Sequence, residues 1–277
     1  MPVIALTQEM GSLAKDVAEQ LAQHLQIDVT RHEVVEHVAS KMHVPKSLIN
    51  RLREGKAGTL ERLRTDRDSL TVYTAEEVLE IAARGNIVLR GWGATCLLRP
   101  VPHAVCVRIT RPFAKRVEWL MAHLDTDDTD FAEAEIRRSD RAHAARMHEQ
   151  FGVTWGDPLL YDLVLNTDRI SVDGCVQQIA ALAARPEFGE TEASRRLLQD
   201  MALQAHVRSA LKASEATRDT DITIESVEGR VTLRGIVLDA DERLAAQRVA
   251  AGVPGVADLD NQLRLMTPTR RFTTSKT

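Results

Sequence analysis

Cysteine is scarce: the 277-residue chain has three, Cys96, Cys106 and Cys175. They are odd in number and scattered, and no pair has the spacing of a metal site or redox motif. That excludes a disulfide framework and leads us to expect buried thiols in a reducing compartment. An excess of either charge is also missing. The 36 Lys and Arg stand against 40 Asp and Glu, a net charge of −4 with a pI near 6.2. This balance gives no electrostatic case for nucleic acid as a partner or for attraction to anionic lipid. A bound nucleotide needs only a few local cations and stays open. No basic segment followed by an apolar one opens the sequence, and no apolar run reaches membrane-spanning length. A cytoplasmic protein without a transmembrane segment is expected. What the chain does have is an ordinary apolar fraction of 44%, enough for a sizeable core without disulfides.

Apolar patterning predicts strands at 2–6, 103–110 and 160–167 and a strand running into a tight glycine turn over 87–94, with helices between them. A helix is expected at 12–25 from Val17, Leu21 and Leu25, and a broken helical stretch at 33–53, interrupted at Pro45. Residues 55–72 read as a mobile, partly helical connector, after which Thr74 and Glu77 form a capping box. Pro112 opens another helix, and an Arg-rich helix spans 130–150. Strands alternating with helices imply an α/β fold with a parallel sheet covered on both faces. After Pro186 the texture changes to helix 189–214, a hairpin at 221–238 turning on Glu228-Gly229, helix 239–251 and strand 255–266. This predicts a small, separate α+β unit. The expected domains are 1–187 and 195–267, followed by a disordered tail at 268–277.

The stretch LTQEMGSLAKDVAEQL, residues 6–21, begins as a phosphate-binding loop. It has Gly11, Ser12 and Lys15 ahead of a helical pattern, where backbone N–H groups and the helix dipole favour phosphate. It lacks further glycines, with Leu13 and Ala14 in their place. A non-glycine residue forced into the left-handed region there costs on the order of 1–2 kcal/mol.

VIALTQEMGSLAKDVAEQLAQHL, GNIVLRGWGATCLL, CVRITRPFAKRVEWL, IRRSDRAHAARM and FGVTWGDPLLYDLVLNT occur in the order and spacing of the cytidylate kinase-like family, which they resemble. The segment ITIESVEGRVTLRGIVLDADERLAAQRVAAGVPGVADLDNQLRL resembles a BON domain, with Gly229, Gly235, Gly252 and Gly255 in place. The first resemblance implies a three-layer P-loop kinase fold and phosphoryl transfer from ATP, with Mg²⁺, to a nucleoside monophosphate of the CMP class. Such chemistry is positioning and charge neutralisation.

Carried onto this chain, the resemblance implies Gly11, Ser12 and Lys15 for the phosphate loop and Gly91 and Gly93 for the acceptor turn. Arg116, Asp140 and Arg141 would act at the transferred group. Arg137, Arg141 and His148 share one helix face on the lid. The chain departs from the family at Leu13 and Ala14, at Trp92 in a Gly-Arg-Gly turn, and at His143 in place of a second lid arginine. Arg90 points to the same side as Trp92 and can substitute. Arg31 stands where an acidic residue is usual. Two readings follow: a cytidylate kinase-like enzyme with an altered site, or a non-catalytic nucleotide-responsive or scaffold module. In the second, the BON domain is an output for an unknown ligand or partner. HEVVEH, 32–37, is not a zinc motif, because His32 and His37 diverge by about 140° on a helix.

Overall fold

The computed structural model describes residues 1–30 and 32–266. Arg31 and the expected tail lie outside the described residues. Two compact units are present, Met1–Ala202 and Leu203–Thr277.

The first unit holds a five-stranded sheet of β1 (Val3–Gln8), β2 (Asp28–Val29), β3 (Ile87–Arg90), β4 (Ala104–Thr110) and β5 (Leu163–Asn166). Its order is β2-β3-β1-β4-β5, and every pairing is parallel. Val3 to Thr7 and Ala104 to Ile109 are buried throughout. Continuous apolar runs of this kind belong to strands covered on both faces. From β1 the chain winds through β2 and β3 to one side, then through β4 and β5 to the other. Such a reversal opens a crevice beyond the carboxyl ends of the strands.

Helix α1 (Ala14–Leu25) follows β1 directly. It buries Val17, Ala18 and Leu21 over Ile4, Leu6, Val107 and Ile109, together with Cys175, Val176 and Ile179. Truncating a fully buried leucine such as Leu21 costs about 2–5 kcal/mol. Between β2 and β3 lie α2 (Glu33–Met42), α3 (Lys46–Arg53), α4 (Thr59–Arg64) and α5 (Arg67–Arg84). The capping box expected at Thr74 is not a helix start. Asp66 caps α5 instead, accepting from the N–H groups of Asp68 at 3.0 Å and Ser69 at 3.2 Å. Thr74 is buried inside the helix, and the connector expected at 55–72 contains α4 and the first turns of α5. The remaining elements are α6 (Ala94–Leu97), α7 (Phe113–Leu124), α8 (Thr129–Phe151) and α9 (Val172–Ala183). The three cysteines are free, with Cys106 and Cys175 buried.

Helix α10 (Glu192–Ala213) contributes Val207 and Leu211 to the core of the second unit. There β6 (Ile222–Val227) and β7 (Arg230–Val237) form an antiparallel hairpin. Glu228 and Gly229 both take positive φ, 52° and 81°, as a type I′ turn requires. Helix α11 (Ala240–Ala251) returns the chain so that β8 (Asp258–Leu265) pairs parallel to β7. Among the described residues no helix is long and apolar enough to cross a membrane.

Candidate functional site

The loop from Glu9 to Leu13 leaves the carboxyl end of β1, the central strand, and enters α1. Gly11 has φ 77°, and a Cβ there would lie 3.1 Å from the backbone of Arg116, so this position needs glycine on two counts. Leu13 is the N-cap of α1 at φ 61°, ψ 16°, with no side-chain cap. The strain that a missing glycine implies therefore falls on Leu13. Ala14 is already helical and carries none. Ser12 is buried, its carbonyl accepts from Thr167 Oγ1 at 2.9 Å, and its own Oγ has no partner. Lys15 is 65% exposed and lies 3.9 Å from Glu19, one turn along the same helix.

Glu9, which the sequence reading did not single out, is the hub of the loop. Its carboxylate accepts from Arg108 Nη2 at 2.5 Å and Thr110 Oγ1 at 2.8 Å, and lies 3.6 Å from Arg116 Nε. Arg116 is 7% exposed and donates to both oxygens of Asp140, at 2.9 and 2.8 Å. Arg116 and Asp140 are thus brought together in a bidentate pair. Burial disfavours the Arg116 charge, but the Asp140 hydrogen bonds and charge win and raise its pKa above the ordinary value. Two arginines therefore face two carboxylates. Arg137 is also held: it donates to Glu133 at 2.9 Å and lies over the Phe113 ring at 4.2 Å. Arg141 and His148 are exposed.

Across the crevice, Gly91, Trp92 and Gly93 take φ of 81°, 59° and 71°. A Cβ on Gly93 would lie 2.7 Å from the Phe151 ring, so glycine lets α8 close on this turn. Trp92 has Arg53 over its ring at 5.1 Å. Arg146 donates to the carbonyl of Arg53 at 2.8 Å. His143 packs on Trp155 with ring centroids 4.2 Å apart, and its shielded Nε2 has no hydrogen-bond partner. Trp155 is fixed in turn, since its Nε1 donates to Thr7 Oγ1 at 3.0 Å and Arg108 stacks over its ring at 4.4 Å.

This side is rich in positive charge. Burial first, then Arg146, Arg108 and Arg53, push the His143 pKa down to about 3. Burial and the Arg53 charge lower that of Arg146 to about 10. Arg53 and Arg90 are lowered mainly by burial; the Arg90 charge lowers Arg53 further while Glu54 supports it, and Glu19 and Asp16 support Arg90. Sequence reasoning missed Arg53 and Arg146 as well as Glu9. Arg108 was visible in principle as a charge within the apolar run AVCVRIT.

Among the described residues no group of three His, Cys, Asp or Glu side chains is placed to hold a metal. Mg²⁺ carried by ATP asks the protein for only one or two carboxylates. Glu9 and Asp140 are committed to arginines. Asp16, exposed in the first turn of α1, fits that demand.

A parallel sheet with this loop between its central strand and first helix defines a nucleotide-binding, kinase-like P-loop fold. The cytidylate kinase-like family matches residues 3–169, and the chain belongs to that family. The BON domain matches residues 199–267. Among solved structures, the chain is similar to an uncharacterized protein from Eubacterium ventriosum ATCC 27560. Their identity is 17% and the TM-score 0.52, covering 66% of this chain and 97% of that one. It is also similar to shikimate kinase from Bacteroides thetaiotaomicron, at 17% identity and TM-score 0.39 over 65% and 97% of the two chains. For shikimate kinase from Acinetobacter baumannii in complex with shikimate, the values are 14%, 0.41, 66% and 92%. No curated protein matches the chain.

Proposed function

We propose that the first unit binds nucleotides, with ATP·Mg²⁺ as phosphoryl donor and a CMP-class nucleoside monophosphate as acceptor, and that transfer between them is slow. The observation that carries this reading is the state of the donor-side cations. Arg108 and Arg116 are neutralised by Glu9 and Asp140, Arg137 by Glu133, and Lys15 extends towards Glu19. Phosphoryl transfer depends on cations aimed at the moving group, and here the buried ones are spent on internal carboxylates, while Arg141 stays exposed. Binding retained without efficient turnover favours a nucleotide-responsive module, with the BON domain as the output that meets a ligand or partner. Free, mostly buried thiols support a reducing, cytoplasmic setting. The net charge of −4 supports nucleotides rather than nucleic acid as partners.

Calorimetric titration of the full chain with ATP·Mg²⁺ and with CMP, beside a coupled phosphoryl-transfer assay, tests the proposal. Measurable binding of both with turnover far below the ordinary kinase range of roughly 1–100 per second is expected. Turnover inside that range removes the claim of slow transfer, and absence of binding removes the whole reading.

A further inference from the structure

The buried guanidinium groups of this unit, Arg108 and Arg116, come with carboxylates, and two half-buried ones on the acceptor side do not. Arg53 and Arg146 meet there through the 2.8 Å bond from Arg146 Nη1 to the Arg53 carbonyl. Among the described residues neither forms an ion pair with a carboxylate, in contrast to Arg108 and Arg116. Beside them His143 Nε2 is shielded from solvent and unpartnered. A shielded polar nitrogen costs roughly 1–3 kcal/mol when unsatisfied, and adjacent like charges repel. An anion with several acceptor oxygens satisfies both, with His143 in the tautomer that carries its proton on Nε2. Residues from α3, the 91–93 turn and α8 surround the same spot, with the Arg53 guanidinium ordered against the Trp92 ring at 5.1 Å.

We infer that Arg53, Arg146 and His143 form an anion site that receives a phosphomonoester dianion, the phosphate of the acceptor nucleotide. The site takes over the role of the arginine that the Gly91-Trp92-Gly93 turn lacks. The inference deepens the proposed function and rests on it for the nucleotide, though not for the anion. The lowered pKa of Arg146, about 10, fits a pair of cations held together before their counter-ion arrives. A metal cation is repelled by the same charges. Glu54 and Glu149 lend Arg53 and Arg146 some support through space, but neither closes an ion pair with them, and Glu149 is paired with Arg67 at 3.1 Å.

The test titrates the full chain with inorganic phosphate, CMP and cytidine by calorimetry, in the parent and in Arg53→Gln, Arg146→Gln and Arg185→Gln. The last is a control at an exposed arginine paired with Glu187. Arg53→Gln and Arg146→Gln should each weaken phosphate and CMP about tenfold or more, the equivalent of one charge-assisted hydrogen bond. Arg185→Gln should change neither, and cytidine should bind far more weakly than CMP. Without ligand, the two glutamine variants should melt no lower than the parent, because repulsion is relieved. Arg53→Lys and Arg146→Lys, which keep the charge, should show intermediate losses and guard against misfolding. Equal affinity in parent and glutamine variants, or no binding of phosphate and CMP to the parent at millimolar concentration, overturns the inference. If phosphate binding depends on both arginines but CMP binds no tighter than phosphate, the anion site stands and the nucleotide reading falls. An ATP·Mg²⁺ titration in parallel reports the donor side separately.

Discussion

Leu13 and Ala14 both stand where the sequence resemblance implies glycine, yet they differ physically. Leu13 sits in the left-handed region at φ 61°, while Ala14 is the first residue of α1 and is buried. Leu13→Gly removes about 1–2 kcal/mol of strain and adds about 0.4–1 kcal/mol of unfolded-state entropy. Its melting temperature should hold or rise slightly. Ala14→Gly gains no relief and should lose about 1 kcal/mol. Thermal melts of the two variants decide this, and equal destabilisation would refute the assignment of strain to Leu13. Glu9 makes a sharper case. It is 9% exposed between Arg108 and Arg116, so Glu9→Gln leaves a buried cation with less than its counter-charge. The expected loss is about 3 kcal/mol, read by urea unfolding. Millimolar phosphate or ATP should recover more of it than in the parent, because an anion can take the vacated role.

At the scale of elements, α2 is pinned to α5 by His37, beside Lys41, which reaches Glu76 at 3.3 Å. His37 Nε2 lies 2.8 Å from Glu76 and His37 Nδ1 lies 3.0 Å from Glu77. Both nitrogens can donate only in the protonated ring, and hydrogen bonds to Glu76 and then Glu77 raise its pKa from 6.5 to about 9. A folded pKa above the unfolded one means this stabilisation is full below about pH 6.5 and fades as the pH rises through about 9. Discounted for solvent screening, it is about 1–2 kcal/mol. Urea unfolding at pH 6.5 and 9.5 should show that loss in the parent and little of it in His37→Gln. A His37→Gln chain with the same pH slope as the parent would falsify the pairing. The strands that carry the site were legible because β1 and β4 are buried on both faces and read as apolar runs, broken in β4 only by Arg108. The early part of α5 was not, because Asp66 caps it ahead of a polar first turn that periodicity does not flag. The turn from β1 into α1 was legible from local spacing alone. The contact between Arg53 and Arg146 was not, since they are 93 residues apart and only the packing of α3 against α8 joins them. Glu9 was hidden for the same reason, its partners lying on β4 and α7.

At the scale of the whole chain, helix α10 decides how the units can be separated. The boundary between the compact units falls at Ala202 and Leu203, inside this helix. Its later turns supply Val207 and Leu211, which pack with Ile222, Ile224, Val231, Leu233 and Leu263 in the core of the second unit. The three strands and α11 alone lack that cover, and a three-stranded sheet needs a packed helix or apolar face for independent stability. A fragment of residues 191–277, with α10 complete, should therefore melt cooperatively by circular dichroism. A fragment of residues 214–277 should show no cooperative transition, because it exposes one face of its sheet. Residues 1–190 should also melt as a unit, since the five strands and the α1–α9 layer lie within them. Val207→Asp in the 191–277 fragment provides the internal check, because an unpaired charge in that core costs several kcal/mol. It should abolish the transition there, and in the full chain it should leave the α1–α9 layer and its nucleotide binding intact. Loss of CMP binding in the full-length Val207→Asp chain would mean that the units do not fold independently.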